Sequence, residues 1–211
     1  MKIAFIGHGN VGAPLADHLQ RLGHSVTLAA RDPAADSVRQ LLARNPALQA
    51  APLEAAVREA ELVFLATPYA ANASVIPPLA QALTGKVLVD CTNPVGPGLS
   101  HGLGSQQSGA QALQQLAPQA RVVKAFSIYG FENFEDNRFP AANVRPAMFF
   151  CGDDAAAMRQ VGTLIDQLGW QPLNVGGLEQ ALHLEHMTLL WIRLVRVHGH
   201  PPHLAWAALP R

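Results

Sequence analysis

The sequence predicts an α/β fold with a doubly wound, mainly parallel sheet and a short helical extension at the C-terminus. Short apolar runs rich in β-forming residues alternate with segments of helical periodicity along almost the whole chain. The run over residues 62–66 is unbroken by polar residues, as is typical of parallel strands covered on both faces. Right-handed crossovers between such strands place helices on both sides of one sheet.

The first βαβ unit occupies residues 2–30. The apolar run Lys2–Ile6 predicts a strand, and apolar residues at helical spacing predict a helix over residues 10–22. Gly23 is the glycine that commonly ends a helix, and Ser25–Ala30 is a second β-type run. Strand, helix and parallel strand therefore follow one another from the start of the sequence.

The same alternation continues to the end of the chain. Six further strands are predicted, over residues 48–51, 62–66, 86–90, 121–125, 147–151 and 171–175. Helices are predicted over residues 34–43, 53–60 and 110–116, after Pro68 up to Pro77-Pro78, after a cap at Asp153 or Asp154, and over 178–198. The Gly-, Ser- and Gln-rich segment 91–108 predicts a long loop that is either functional or mobile.

Composition and charge exclude several classes of function. The 211 residues include 49% hydrophobic ones, and 15 basic and 15 acidic side chains give a formal net charge of zero. Such a balance predicts neither nucleic acid nor a membrane as a partner. Two cysteines are too few for a disulfide framework, and a strand starting at Lys2 leaves no room for a signal peptide, so a cytoplasmic location is expected.

A glycine-rich motif stands between the first strand and the first helix. It fits the pattern G-x-G-x-x-G and reads Gly7-His8-Gly9-Asn10-Val11-Gly12. Gly7 permits the tight turn, Gly9 lets the backbone approach a pyrophosphate, and Gly12 allows the helix to pack closely on the strand. The alternative is a tight turn with a structural role alone. In this context the motif predicts a Rossmann fold that binds a dinucleotide at the helix N-terminus.

The end of the second strand indicates which dinucleotide is bound. NAD-binding versions carry an acidic residue about 20 residues beyond the motif, where this chain has Ala30 and then Arg31. An arginine can hold a 2′-phosphate through several donors, so NADP(H) is predicted. The alternative is that Arg31 is a solvated turn residue beside Asp32. Residues 1–177 are expected to form the NADP-binding domain, and 178–211 a C-terminal helix and tail packed on it.

Six segments carry a resemblance to a known family. They read Ile6-Gly7-His8-Gly9-Asn10-Val11-Gly12, Ala30-Arg31-Asp32-Pro33, Asp90-Cys91-Thr92-Asn93-Pro94, Val122-Val123-Lys124-Ala125-Phe126, Gly152-Asp153-Asp154 and Leu190-Trp191-Ile192-Arg193-Leu194. Together they resemble the F420-dependent NADP oxidoreductases and their bacterial relatives. The same unit is similar to the cytosolic domain of six-transmembrane ferric reductases. The combination spans nearly the whole chain and is more specific than the glycine motif alone.

The resemblance implies where ribose and nicotinamide lie. It assigns them to loops that contain Thr67 and Pro68, Thr92, Asn93 and Pro94, and Ala125 and Phe126. Independently, open α/β sheets bind ligands at the carboxyl ends of their strands. Each segment also has an ordinary reading, because Thr-Pro and Asn-Pro are common turn dipeptides.

The resemblance also implies the chemistry. Hydride would pass directly between NADPH and a flavin or a deazaflavin such as F420, a small-molecule acceptor, so no catalytic side chain is expected. The chain departs from relatives at Ala30, where a serine is common, and at Ser127-Ile128-Tyr129, where Asn-Thr is common. NADP discrimination is therefore expected to be weaker than usual, and the acceptor pocket to differ.

Other side chains receive plainer interpretations. Lys124 is expected to play a structural part at a strand end, with Ser127 and Tyr129 as lining or supporting residues. His183 and His186 do not match zincin spacing, so no metal is expected. Apolar residues at helical spacing in the last helix predict core packing or a homodimer contact; they are Met187, Leu190, Trp191 and Leu194.

Two other functions remain open at this point. An NADP-dependent dehydrogenase or imine reductase of a small organic substrate usually adds a large helical domain, and only about 35 residues follow the last predicted strand. A protein that senses NADPH without turnover would carry the same dinucleotide motif. The hydride-transferring reductase is the function that the sequence favours.

Overall fold

Eight strands form one sheet in the computed structural model, which describes residues 1–140 and 143–209. The strands are β1 (Lys2–Ile6), β2 (Ser25–Ala30), β3 (Gln49–Pro52), β4 (Leu62–Leu65), β5 (Val87–Asp90), β6 (Arg121–Lys124), β7 (Ala147–Gly152) and β8 (Gln171–Asn174). Their order across the sheet is β3-β2-β1-β4-β5-β6-β7-β8. The pair β6–β7 is antiparallel, and the other six pairs are parallel. The predicted doubly wound, mainly parallel sheet is confirmed.

Helices connect the strands. They are α1 (Gly12–Arg21), α2 (Asp36–Arg44), α3 (Leu53–Glu59), α4 (Asn72–Val75), α5 (Gly109–Leu116), α6 (Glu132–Glu135), α7 (Ala155–Gln167) and α8 (Ala181–Ile192). The helix predicted after Pro68 is shorter than expected, because 3₁₀ turns at Tyr69–Ala71 and Pro77–Leu79 flank the single turn α4. Helix α6 lies in a segment for which no helix was predicted.

The segment predicted as one helix over residues 178–198 is helical over residues 178–197, but its hydrogen-bond spacing changes twice. Leu178–Gln180 form a 3₁₀ turn, α8 follows, and Arg193–Val197 form a π-helical turn. The amide of His198 donates to the carbonyl oxygen of Arg193, five residues earlier, at 3.0 Å. Hydrophobic periodicity could not reveal this change, because α and π turns differ by only one residue in their hydrogen-bond spacing.

The core lies on both faces of the central strands. All residues of β4 and β5 are buried, as the unbroken apolar sequence of β4 predicted for that strand. Phe5 of β1 stacks on Phe64 of β4 with ring centroids 4.5 Å apart. Of the two predicted caps of α7, Asp154 accepts from the amide of Ala157 at 2.7 Å. Within the described ranges, no helix combines the length and apolar character needed to cross a membrane.

Candidate functional site

The segments predicted to bind a dinucleotide lie at the carboxyl ends of five parallel strands, β1, β2, β4, β5 and β6. Ile6 at the end of β1 pairs with Ala29 of β2 on one side and with Leu65 of β4 on the other. The strand order reverses at β1, and open α/β sheets bind their ligands at such a reversal. The loops that meet here, residues 7–12, 30–32, 66–72, 91–96 and 125–127, are called the carboxyl edge below.

The three glycines of the β1–α1 loop are required for different reasons. Gly7 has a φ of +95°, and a Cβ there would lie 2.6 Å from the carbonyl carbon of Ala66. A Cβ on Gly12 would overlap the carbonyl oxygen of Gly7. A Cβ on Gly9 would have no neighbour within 4 Å in the described part of the protein. Folding thus demands Gly7 and Gly12, whereas Gly9 leaves open space in front of the loop, as an approaching pyrophosphate needs.

Helix α1 begins directly behind this open space. Its N-cap residue, Val11, offers no side-chain hydrogen bond, and its first turn contains no acidic residue. The amides of a first helical turn lack partners within the helix and carry a partial positive charge. Gly9 and Asn10 are exposed beside them. The loop therefore presents uncapped N–H donors to an anion such as a pyrophosphate.

The end of β2 presents a cation. Ala30 is buried, and Arg31 after it is exposed. Within the described residues, the guanidinium of Arg31 forms neither an ion pair nor a hydrogen bond. The neighbouring carboxylate of Asp32 accepts from the amide of Ala34 at 2.9 Å, within its own turn. Arg31 is thus available to an anionic group on a ligand.

His8 links the glycine loop to helix α2. Its Nε2 lies 3.2 Å from Oγ of Ser37, a residue that the sequence interpretation did not identify. Burial lowers the pKa of His8, so the imidazole is neutral at pH 7. Its Nδ1 is buried and has no hydrogen-bond partner in the part of the chain that the structure describes. An unpartnered buried polar atom beside the open loop is consistent with a ligand contact there.

A chain of hydrogen bonds joins the loops that follow β4 and β5. Thr67 donates through Oγ1 to Oδ1 of Asn72 at 3.2 Å, and Asn72 donates through Nδ2 to Oγ1 of Thr92 at 3.1 Å. Asn72 is only 3% exposed, yet sequence reasoning missed it. Its bonds fix the distance between two segments that the resemblance assigned to ribose and nicotinamide. Pro68 is exposed at this edge.

Lys124 at the end of β6 is fully buried among acceptors. Its Nζ donates to Oδ2 of Asp90 at 3.0 Å and to the carbonyl oxygen of Thr92, and it lies 3.3 Å from Oε1 of Glu185. Burial alone would lower the pKa of Lys124, but the carboxylates of Asp90 and Glu185 outweigh it and raise the pKa above its usual value. The ammonium therefore stays charged and holds the backbone of Thr92 in place.

Glu185 of α8 is a second centre of the same network. Its Oε2 accepts from Nε2 of His101 at 2.8 Å and from the amide of Gly109 at 3.0 Å. Its Oε1 accepts from the amide of Ala110 at 3.3 Å and contacts Lys124. Glu185 thereby joins the start of α5 and the loop 91–108 to the strand ends. Asp90, His101, Lys124 and Glu185 are called the buried charge cluster below.

Thr188, one helical turn beyond Glu185, supports the neighbouring loops. Its Oγ1 donates to the carbonyl oxygen of Ser127 at 2.8 Å and lies 3.1 Å from Oδ1 of Asn93. Asn93 donates through Nδ2 to the same carbonyl at 3.0 Å. The Oγ of Ser127 is buried, with no hydrogen bond to any other described residue. Helix α8 therefore reaches under the carboxyl edge with two buried polar side chains.

The segment after β6 is closed and strained. Ala125 and Phe126 are fully buried, and Phe126 has a φ of +54°, which non-glycine residues rarely adopt. Its ring packs against Phe64 and Phe134. With their side chains covered, Ala125 and Phe126 shape the floor of the edge, as does the buried Pro94.

Cys91, beside the same floor, is not a reactive thiolate. Burial raises the pKa of its thiol well above the usual range, and burial raises the pKa of Cys151 on β7 to about 12. Thiolate character is what makes a cysteine nucleophilic. Both residues therefore serve as small packing groups.

Comparison with known proteins adds independent findings. The family described as coenzyme F420-dependent NADP oxidoreductase matches residues 2–94. A crystal structure of a candidate F420-dependent NADP-reductase from Arthrobacter sp. FB24 is 31% identical, covers 100% of both chains and superposes with a TM-score of 0.89. The F420-dependent NADP reductase of Methanothermobacter marburgensis is 29% identical over 209 residues, 92% of each protein.

A third relative is matched over only part of its length. The metalloreductase STEAP3 of Rattus norvegicus is 31% identical over 189 residues, which are 89% of this chain but 36% of that protein. The chain thus spans about a third of that relative. The similarity that was inferred from the six segments is found in both groups of proteins.

Proposed function

The chain belongs to the family of coenzyme F420-dependent NADP oxidoreductases, and from this premise we propose that it transfers hydride between NADPH and a deazaflavin or flavin acceptor. The observation that carries the proposal is the match to the Arthrobacter protein, which extends over the full length of both chains. The metalloreductase similarity supports a reductase in general and no particular acceptor, because most of that protein has no counterpart here.

The coenzyme would lie across the carboxyl edge. The uncapped start of α1 and the open space before Gly9 suit the pyrophosphate, and the exposed Arg31 suits the 2′-phosphate of NADP. The loops of Thr67–Pro68, Thr92–Asn93–Pro94 and Ala125–Phe126 would hold the ribose and nicotinamide. The room before Gly9 and the unpartnered Nδ1 of His8 support this placement.

The proposed reaction requires little acid–base chemistry from the side chains of the protein. When bound, NADPH supplies the hydride from C4 of its dihydronicotinamide, and a proton from water completes the two-electron reduction of the acceptor. The residues of the carboxyl edge would hold two ring systems in contact and exclude water from between them. The hydrogen-bonded chain from Thr67 through Asn72 to Thr92 gives that platform fixed dimensions. We assign no side chain a catalytic role in this transfer.

Titration followed by turnover tests the proposal. The purified protein is titrated with NADPH and with NADH, and oxidation of NADPH is then followed with F420 and with FMN as separate acceptors. We expect tighter binding of NADPH than of NADH and rapid turnover with one of the two acceptors. Tight binding of NADPH without turnover on either acceptor would contradict the reductase and favour an NADPH sensor. Turnover only with a small imine or carbonyl compound would favour the organic-substrate reductase instead.

We also propose a cytoplasmic homodimer. Leu190 on α8 is 49% exposed, whereas its neighbour Trp191 is buried, so Leu190 is the apolar residue of this helix that is available to a second copy. The two cysteines are free and buried, as suits a reducing compartment. Sedimentation velocity on the wild type and on Leu190→Glu measures the oligomeric state. A monomeric wild type would contradict the proposal.

A further inference from the structure

Four titratable side chains are buried beneath the nicotinamide end of the carboxyl edge, and the proposed hydride transfer uses none of them directly. Asp90, Lys124 and Glu185 are at most 1% exposed, and His101 is 7% exposed. Removing charges from water is costly unless they are paired and hydrogen-bonded. The hydrogen bonds of the buried charge cluster define the charge of each member.

The proton on His101 is located by the partners of its ring. Nδ1 accepts from the amides of Leu103 at 3.3 Å and Ser105 at 3.2 Å, so it carries no proton. The single ring proton therefore lies on Nε2, which donates to Glu185. His101 is thus a neutral imidazole in this arrangement.

Both carboxyl groups are surrounded by donors. Asp90 accepts from the amide and the hydroxyl of Thr92 through Oδ1 and from Lys124 through Oδ2. Glu185 faces two amides, the Nε2–H of His101 and the ammonium. A carboxyl group with donors on both oxygens is ionised. Two carboxylates, one ammonium and one neutral imidazole give the cluster a net charge of −1.

The field of this charge reaches the carboxyl edge. Tyr69 directly follows Pro68, and a Cβ on Gly109, beside Glu185, would lie 2.7 Å from its ring. Burial raises the pKa of Tyr69; the carboxylates of Glu185 and Asp90 raise it further, and Lys124 lowers it by a smaller amount. The balance of these charges at Tyr69 is therefore negative.

We infer that the buried charge cluster favours oxidised over reduced coenzyme at this site, with Glu185 as the residue that makes its net charge negative. The nicotinamide ring is positive in NADP⁺ and neutral in NADPH, so a nearby buried negative charge stabilises the oxidised ring and the transition state that leads to it. The inference rests on the proposed function, because it requires the nicotinamide to lie over Thr92 and Asn93.

The test compares affinities for the two forms of the coenzyme. Dissociation constants of NADP⁺ and NADPH are measured for wild type, Glu185→Gln and Thr188→Val. Glu185→Gln keeps the shape of the side chain but removes one charge. We expect NADP⁺ affinity to fall relative to NADPH affinity by about sixfold, the effect of one charge at roughly 15 Å and an effective dielectric constant of about 20. Thr188→Val, one turn along α8 and equally buried, removes a hydrogen bond but no charge. We expect it to weaken both forms equally.

If Glu185→Gln folds poorly, a second variant tests the same effect of charge on the two coenzyme affinities. Asp90→Asn also brings the cluster to neutrality and should shift the ratio of affinities in the same direction. An unchanged ratio in the folded variant, or the same change in Thr188→Val, would overturn the inference and leave the proposed function intact. Failure of the wild type to bind either form of the coenzyme would overturn the proposed function itself.

Discussion

The two halves of the carboxyl edge are built in opposite ways. On the side of β1 and β2, Arg31, the start of α1 and Nδ1 of His8 lack partners among the described residues, and the space before Gly9 is open. On the side of β5 and β6, Asp90, Lys124 and Glu185 are fully buried and bonded to one another or to the backbone. The first half, called the open half below, leaves its polar groups available to a charged ligand. The second half, called the closed half below, bonds its polar groups to one another and so shapes the floor of the carboxyl edge.

The largest effect should come from breaking the closed half. Lys124→Met leaves the carboxylates of Asp90 and Glu185 buried without their shared cation. We expect the free energy of unfolding in urea at pH 7 to fall by about 3–5 kcal/mol. The matched substitution in the open half, Arg31→Ala, should change it by no more than about 0.5 kcal/mol. Similar losses in the two variants would erase the contrast between the halves.

Arg31→Ala should instead act on binding. Loss of charge-assisted hydrogen bonds to a phosphate costs about 1.5–3 kcal/mol, so NADPH affinity should fall by tenfold to a hundredfold, while NADH affinity stays within about twofold. Fluorescence titration with both coenzymes measures this difference. Arg31→Lys keeps the charge but not the planar fork and should lie between the two. Equal losses for NADPH and NADH would refute a contact with the 2′-phosphate.

Substitutions at Gly9 and Gly7 separate an effect on coenzyme binding from an effect on stability within one loop. Gly9→Ala should fold normally, because its Cβ would have no neighbour within 4 Å among the described residues. It should nevertheless weaken NADPH binding by about five- to a hundredfold through overpacking of about 1–3 kcal/mol against the ligand. Gly7→Ala should reduce stability, since its φ of +95° and its contact with Ala66 both resist a side chain. Calorimetry and titration on both variants separate the effects. Normal coenzyme affinity in Gly9→Ala would contradict the proposed pyrophosphate position.

The smallest expected effect is on the pH dependence of stability, and it tests whether water is excluded from Cys151 in the closed half. The pKa of Cys151 is 9.0 when unfolded and about 12 when folded, so between these values the folded state keeps a proton that the unfolded state loses. The stability due to this neutral thiol is therefore complete below pH 9 and declines as the pH rises toward 12. The advantage of wild type over Cys151→Ala should shrink by about 1–2 kcal/mol between pH 8 and pH 10.5. A constant difference would indicate that water reaches Cys151.

Much of the open half could be predicted from sequence, because local signals encode it. The apolar run of β1, the spacing of Gly7, Gly9 and Gly12, and the arginine after β2 all lie within 31 residues. Each works through its own backbone conformation or its own charge. The strand β5 of the closed half was predicted equally well, since its residues before Asp90 are all apolar.

The connections within the closed half could not be predicted in the same way. Glu185 meets Gly109 across 76 positions of sequence, and Thr188 meets Asn93 across 95. A single glutamate or threonine on a helix has the same pattern as a solvated helical face, so nothing local marks it as buried. Asn72 was hidden for a similar reason, because a polar residue after Thr67-Pro68 fits any surface turn. The one available signal was the apolar character of α8 around these two polar positions.

Deuterium tracing follows the hydride from NADPH to the acceptor. NADPH carrying deuterium at C4, in separate samples for each face of the ring, is oxidised anaerobically in a single turnover with F420 and with FMN. NADPH labelled on one face should give deuterated reduced F420 and a primary isotope effect. Reduced flavin loses the deuterium to water, so with FMN the isotope effect is the only evidence of direct transfer. Absence of oxidation with both acceptors, or deuterium-free reduced F420 from both faces, would contradict direct transfer at this site.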